Sequence, residues 1–270
     1  MTSSTSLHGS PIFGPVHSRR LGVSLGVNLM PGDGKLCSFD CIYCECGLNG
    51  ERTPCTPRPS RTLVAEALER VLAQRREEGL PLHTITFSGN GEPTLHPQFP
   101  GIIDDVLRLR TAYFPEAKVS VLSNATMVHR QEIRDALMKV DNNIQKLDTV
   151  DEEYIRMVDR PSPHYNVKRV IEDLCRFNGH VIIQTLFMNG TLTLQWSGHN
   201  EVETYDVDNT SEAYVGPWLE ALGRIRPSGV MVYTIDRETP VGGLLKAPRE
   251  ELDRIAERVR AMGMHCTVSY

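Results

Sequence analysis

The chain has 270 residues, 40% hydrophobic and 23% charged, with a formal net charge of -5. That balance suits a globular protein with ample length for a buried core. It excludes a globally basic nucleic-acid surface, and no run approaches the roughly 18 apolar residues of a membrane span. The start, MTSSTSLHGSPIFGPVHSRR, is polar and broken by Gly and Pro, without the apolar stretch of a secretory leader. Cytoplasmic location is the resulting expectation. There, an odd total of seven cysteines favours metal or redox chemistry over a disulfide framework.

Residues 1–20 read as a flexible segment and 21–270 as one domain. Leu21 to Met30 alternates like a strand, and Pro31-Gly32-Asp33-Gly34 ends it. A cysteine-rich loop and the Pro-rich TPCTPRPS follow. Thr62 to Glu78 reads as a helix, with Val64, Leu68, Val71 and Leu72 on one face and Gly79 at its stop. Strand and helix then alternate. HTITFS (83–88), KVSVLS (118–123), the weaker 143–147, HVIIQTLF (180–187) and GVMVYTI (229–235) read as strands. Helical periodicity marks 102–110, 131–140, 167–177, 211–225 and the run beginning at Pro248. A short strand, 265–269, closes the chain. Six alternations at βαβ spacing imply a parallel sheet, either barrel-like or doubly wound. Thr191 to Thr210 is long for a connection and reads as a hairpin or lid.

The chemistry concentrates in CSFDCIYCEC, residues 37–46. Cys37, Cys41 and Cys44 follow C-x3-C-x2-C, a spacing with which one loop can wrap a single metal centre in thiolates. A structural zinc site wants four closed ligands, and Cys46 or Cys55 would have to complete it. No second C-x2-C lies downstream. Three ligands at unequal spacing suit a cubane cluster with one open iron. Arg19, Arg20, Lys35, Arg52, Arg58 and Arg61 flank this region and read as a solvated rim or a phosphate contact.

C-x3-C-x2-C with Tyr43 before the third cysteine, after a first strand, resembles the signature of radical S-adenosylmethionine (radical SAM) enzymes. FSGNGEPTLHP (87–97) resembles that family's Gly-Gly-Glu-Pro segment, and SNAT (123–126), KLD (146–148) and Gln184 fall at later strand ends. The pieces GPVHSRRLG, DRPSP, VDNT and VYTIDRETP look most like the branch related to tRNA wyosine-base synthetases, although no cysteine precedes Cys37. The resemblance implies a partial (βα)6 TIM-like barrel, open on one side, with its site at the C-terminal strand ends. It implies a [4Fe–4S] cluster on Cys37, Cys41 and Cys44. S-adenosylmethionine would contact Tyr43, Gly89, Gly91, Glu92, Ser123, Asn124, Lys146, Asp148 and Gln184. In this scheme Glu92 meets the methionine ammonium and Tyr43 lies against adenine. Reductive cleavage would yield a 5′-deoxyadenosyl radical that abstracts hydrogen from a substrate such as a tRNA base. The implied partners are an electron donor such as a flavodoxin or ferredoxin, and a substrate that is RNA, a small molecule or a protein. Two other readings stand beside this one: an activase that installs a glycyl radical on a partner protein, and a zinc-stabilised binding module.

Overall fold

The structure is a computed structural model that describes residues 7–18, 22–51, 53–195 and 202–270. Arg19, Arg20, Arg52 and the centre of the 191–210 stretch therefore lie outside the described residues.

The alternating apolar runs form strands of one eight-stranded sheet, in the order β1-β2-β3-β4-β5-β6-β9-β11. Its members are β1 (Ile12–Ser18), β2 (Gly22–Val27), β3 (Thr84–Phe87), β4 (Lys118–Ser123), β5 (Asn142–Lys146), β6 (Ile182–Leu186), β9 (Gly229–Tyr233) and β11 (Cys266–Ser269). Every pairing from β2 to β11 is parallel, for example Gly26 opposite Thr86 and Gln145 opposite Ile183. The sheet curls into a half-barrel, the barrel-like alternative of the two that periodicity allowed.

Among the described residues six helices connect or cover the strands: α1 (Arg61–Glu77), α2 (Phe99–Tyr113), α3 (Gln131–Leu137), α5 (Val167–Cys175), α6 (Glu212–Ile225) and α7 (Arg249–Ala261). A short α4 (Glu152–Tyr154) runs on into a π-helical turn, Ile155–Asp159. Two of these helices start at side-chain caps. Ser60 caps α1 through Leu63 N–H, and Asn166 caps α5 through Arg169 N–H. The main core lies between these helices and the convex face of the sheet, around Leu68, Ile85, Phe99, Val119, Ile183 and Trp218.

One feature departs from the sequence reading. Ile12–Ser18 is a strand, antiparallel to β2, in a stretch whose Gly and Pro residues suggested none. The 191–210 region, read as a hairpin or lid, contributes two antiparallel arms to a small second sheet, in which β7 (Met188–Gln195) lies between β8 (Val202–Asp206) and β10 (Leu244–Lys246). That sheet is rooted by a second apolar cluster joining Leu186, Met188 and Leu192 to Ile42, Tyr154 and Val158. Ile42 is fully buried there, which contributes roughly 1.5–3 kcal/mol to holding the cysteine loop. Among the described residues no helix is long and apolar enough to cross a membrane.

Candidate active site at the C-terminal strand ends

The cysteine loop leaves β2 and is tied at once to the segment after β3. Leu36 N–H donates to Asn90 O at 2.9 Å, and Glu92 N–H donates to Leu36 O at 3.2 Å, so that Leu36 and Gly91 form a parallel bridge. Gly91 has φ +142°, and a Cβ there would sit 1.9 Å from Leu36 O. Gly89 has φ +120°, and a Cβ there would sit 2.8 Å from Asn28 Oδ1. Both positions need glycine. Gly91→Ala should part the bridge and cost about 1–3 kcal/mol. The lost protection is measurable as faster hydrogen exchange at the Leu36 amide, and unchanged exchange would refute the account.

Next along the sheet, Asn124 connects the first cysteine to both neighbouring segments. Its Nδ2 donates to Cys37 Sγ at 3.5 Å and to Ser38 Oγ at 3.0 Å, while its N–H donates to Glu92 Oε2 at 2.6 Å. Ser123 Oγ accepts from Ala125 N–H, holding Ala125 at φ +63°. Glu92 is only 2% exposed. Its Oε1 accepts from Thr94 N–H and Thr94 Oγ1, and Ser123 adds a side-chain hydrogen bond. Burial raises the Glu92 pKa, against the hydrogen bonds from Thr94, Asn124 and Ser123 that lower it.

The three motif cysteines surround Lys35, which the sequence suggested as part of a solvated rim. It is 4% exposed, and its Nζ donates to Gly47 O at 2.8 Å and Asp40 Oδ1 at 3.4 Å. Burial works against its charge, but Cys44, Cys37, Cys41 and Asp40 outweigh burial, so its pKa is raised. Burial pushes the Cys37 thiol up to about 12, and burial with Asp159 raises that of Cys41. Cys44 goes the other way, down to about 6, through a hydrogen bond with Cys46 and the charge of Lys35. Cys46 Sγ donates to Gly89 O at 3.2 Å, between the third cysteine and the glycine-rich segment.

On the far side of the loop, Tyr43, Lys146 and Asp148 meet one another. Tyr43 Oη donates to Asp148 Oδ2, and Lys146 Nζ donates to the same oxygen. Both also reach Asp159 Oδ1, at 3.4 Å from Tyr43 and 2.9 Å from Lys146. Asp148 Oδ1 accepts from Leu186 N–H at 3.0 Å. Lys146 Nζ lies 5.6 Å from the Phe39 ring centre and 5.4 Å from that of Tyr43. One cation thus serves two buried carboxylates beside Cys41. Burial brings Asp159 up to about 6 despite Lys146. Asp159 is a site residue that the sequence reading left without a role, and Lys35 is one that it read as a solvated rim or a phosphate contact. DRPSP was visible as a motif, but nothing local tied its aspartate to Lys146.

Gln184 stands apart from both groups, in the concave interior of the sheet. It lines a cavity of about 140 Å³ with Phe13, Ser24, Thr86, Ser88 and Met231. Hydroxyls run across this wall, Ser24 to Thr86 at 2.8 Å and Thr84 to Ser120 at 3.0 Å, and Asn142 Nδ2 donates to Ser120 Oγ at 2.9 Å.

The Radical SAM superfamily model matches residues 33–193, from the loop before Cys37 into β7. The chain belongs to the radical SAM superfamily. Members of the superfamily are enzymes that bind a [4Fe–4S] cluster and S-adenosylmethionine. A UPF0026 protein of Helicobacter pylori is 29% identical over 184 residues, covering 66% of this chain and 56% of the relative. The chain thus spans little more than half of that relative's length. A radical SAM methyltransferase from Sphaerobacter thermophilus superposes with TM-score 0.64 at 16% identity, over 92% of this chain and 66% of that one. Streptococcus suis SuiB bound to S-adenosylmethionine gives 0.60 at 16% identity, over 91% of this chain and 50% of that one. At these identities both structures speak to the fold, and that fold is the radical SAM half-barrel.

The cysteines fit a cluster of this kind: three free thiols within one short loop are the donor set that iron–sulfur clusters take. All seven cysteines are free of disulfides. A buried thiol with its pKa near 12, as at Cys37, gives up its proton against a strongly charged metal centre.

Proposed function

We propose that this enzyme uses a [4Fe–4S] cluster held by Cys37, Cys41 and Cys44 to cleave S-adenosylmethionine reductively. When bound, the cluster supplies the electron that breaks the sulfonium C–S bond, and the resulting 5′-deoxyadenosyl radical abstracts hydrogen from a substrate. The observation that carries this reading is the bridge of Leu36 and Gly91, which joins the cysteine loop to the glycine-rich segment of the family motif.

The chain's own residues then divide the work. Gly89 and Gly91 let the glycine-rich segment pack directly on Asn28 and Leu36, which fixes the backbone that would meet the methionine end. Ser123 and Asn124 offer polar groups beside Cys37. Tyr43, Lys146 and Asp148 close the other side of the loop around Asp159. Gln184 and the hydroxyls of Ser24 and Thr86 present an uncharged polar wall to the substrate, suited to hydrogen-bonding a nucleoside or similar group. Glu92 acts as a positioning residue, because its two oxygens already accept hydrogen bonds from Thr94, Asn124 and Ser123.

Anaerobic reconstitution tests the reading. Iron and sulfide should bind in equal amounts, and dithionite should convert S-adenosylmethionine to 5′-deoxyadenosine and methionine. Binding of zinc in place of iron and sulfide, or an intact cofactor after reduction, would overturn it.

Glu92→Gln separates positioning from direct contact. The amide turns a donor toward a buried N–H or hydroxyl partner, costing about 1–3 kcal/mol, while the cysteines stay in place. Because the folded pKa is raised, the folded state binds the Glu92 proton more tightly than the unfolded chain. This contribution is fully present below the unfolded value and lost as pH rises through the folded one. The Gln variant should lose that part of the pH dependence of denaturant midpoints. An unchanged profile and stability, with weaker cofactor binding alone, would assign Glu92 to direct contact.

A further inference from the structure

The segment Arg156–Arg169 is the outer covering of the cysteine loop. Asp40 N–H donates to Asp159 O at 3.0 Å, Ile42 N–H to Val158 O at 2.9 Å, and Ser162 N–H to Ser38 O at 2.9 Å. In a chain of net charge -5, these 14 residues carry Arg156, Arg160, Lys168 and Arg169, with His164 among them. Their one carboxylate, Asp159, is buried on Lys146. Arg156, His164, Lys168 and Arg169 are exposed. Arg156 is 3.9 Å from Glu152, and among the described residues no carboxylate is paired with Arg160, Lys168 or Arg169. Here the surface hollows into a cavity of about 480 Å³ lined by Ser38, His129, His164, Asn166 and Arg169. This outer cavity shares no lining residue with the interior one.

We propose that this basic face, from Arg156 to Arg169, is the docking surface for a small acidic one-electron carrier protein that reduces the site. The proposal rests on the radical reading above. Cleavage of the sulfonium bond consumes one electron. The carrier supplies it and is itself oxidised by one electron. Two observations set the place and the partner. The backbone of this segment is hydrogen-bonded directly to the cysteine loop at Ser38, Asp40 and Ile42, so a docked carrier approaches the loop from outside without entering the substrate space. Its charge is opposite to that of most of the chain, so an acidic protein is steered to this patch and repelled elsewhere. The patch is also short, with Asp151, Glu152 and Glu153 exposed at one edge and Glu172 exposed at the other, one turn on from Lys168 and Arg169. A polyanion such as RNA follows a longer basic track, and RNA bound here would lie away from the interior wall of Ser24, Thr86 and Gln184.

The test uses the reconstituted full chain and its Lys168→Glu/Arg169→Glu variant, with the hydroquinone form of a bacterial flavodoxin or with dithionite as reductant. Both substituted side chains are exposed on α5, and among the described residues neither is hydrogen-bonded or ion-paired to the cysteine loop. With flavodoxin at low salt, cluster bleaching and 5′-deoxyadenosine formation should slow by about tenfold or more, and the residual rate should lose most of its salt dependence. With dithionite the two proteins should match. Glu152→Lys/Glu153→Lys should change the flavodoxin rate in the opposite direction. Equal flavodoxin rates in wild type and variant would overturn the docking surface while dithionite cleavage keeps the radical reading. So would unchanged electron transfer accompanied by lost salt-sensitive binding of bulk tRNA, which would give the face to nucleic acid. No cleavage by wild type with dithionite would overturn the radical reading, and the docking proposal with it.

Discussion

Lys146→Met should destabilise the fold by about 3–5 kcal/mol, the usual cost of leaving buried charges without their partner. Lys146 is the cation for Asp148 and Asp159, whose side chains are 1% and 3% exposed, and is itself 14% exposed. Methionine preserves the length of the chain and its packing against Phe39 and Tyr43. It leaves the two carboxylates facing each other across the Tyr43 hydroxyl. The charged pair then has to take up a proton or open the loop. Asp159 already stands raised to about 6, by burial first, with Lys146 opposing that rise. Its folded-state pKa lies above the unfolded value, so its contribution is present at low pH and lost as pH rises through about 6. Removing the lysine strengthens the same trend. The gap between wild type and variant in guanidinium midpoints should therefore be widest above about pH 6 and narrow below it. Lys146→Met/Asp159→Asn should recover part of the loss through their coupling. A loss below about 1 kcal/mol would mean that the network is hydrated and contributes as a surface pair does.

The parts of this site that were legible in the sequence are those whose chemistry is local. Thiolate spacing is fixed within eight residues, from Cys37 to Cys44. Gly89 and Gly91 mark positive φ within one turn, and strand periodicity places SNAT and KLD at strand ends. The parts that were not legible depend on partners far along the chain. The hydroxyl of Tyr43 goes to Asp148 and Asp159, 105 and 116 residues on. Lys35 looked like a rim residue because a lysine between Gly34 and Leu36 has no local reason to be buried. Its partners are a backbone carbonyl twelve residues away and thiols that the loop folds around it. Glu92 looked free for a ligand, yet the chain returns 32 residues later to donate Asn124 N–H to it. β1 and β10 escaped for another reason. Edge strands with Gly, Pro or three residues carry little pattern, and their pairing is decided by the strand beside them, Gly22–Val27 in one case and Met188–Gly190 in the other. Choosing half-barrel over flat sheet likewise lay outside periodicity, since both give the same alternation.

Removing any one of Cys37, Cys41 or Cys44 should abolish the broad iron–sulfur charge-transfer absorption of the reconstituted protein and reduce 5′-deoxyadenosine formation to background. The reason is the ligand count. Thiolates hold iron–sulfur clusters as a set, and with three protein ligands for four irons, removing one would leave a second iron without a protein ligand and open to loss. Substitution to Ala is mild for the polypeptide itself. Cys41 is 8% exposed and its thiol is neutral when buried alone, so its loss removes a small side chain and costs about 1–2 kcal/mol at most. Far-ultraviolet circular dichroism should therefore stay native while the iron is gone, which separates lost ligation from lost folding. Cys175→Ala supplies the control. Its thiol lies on α5 and donates to Arg224 O at 3.5 Å, remote in the fold from Lys35 and the loop, and cluster and cleavage should both survive. Cys46 gives the finer comparison, because it bonds Gly89 O rather than standing in the C-x3-C-x2-C set. Cys46→Ala should keep the cluster, whereas Cys44→Ala should not. If the triple variant of Cys37, Cys41 and Cys44 retained full iron and sulfide, the ligands would lie elsewhere, and the assignment of this loop would fall.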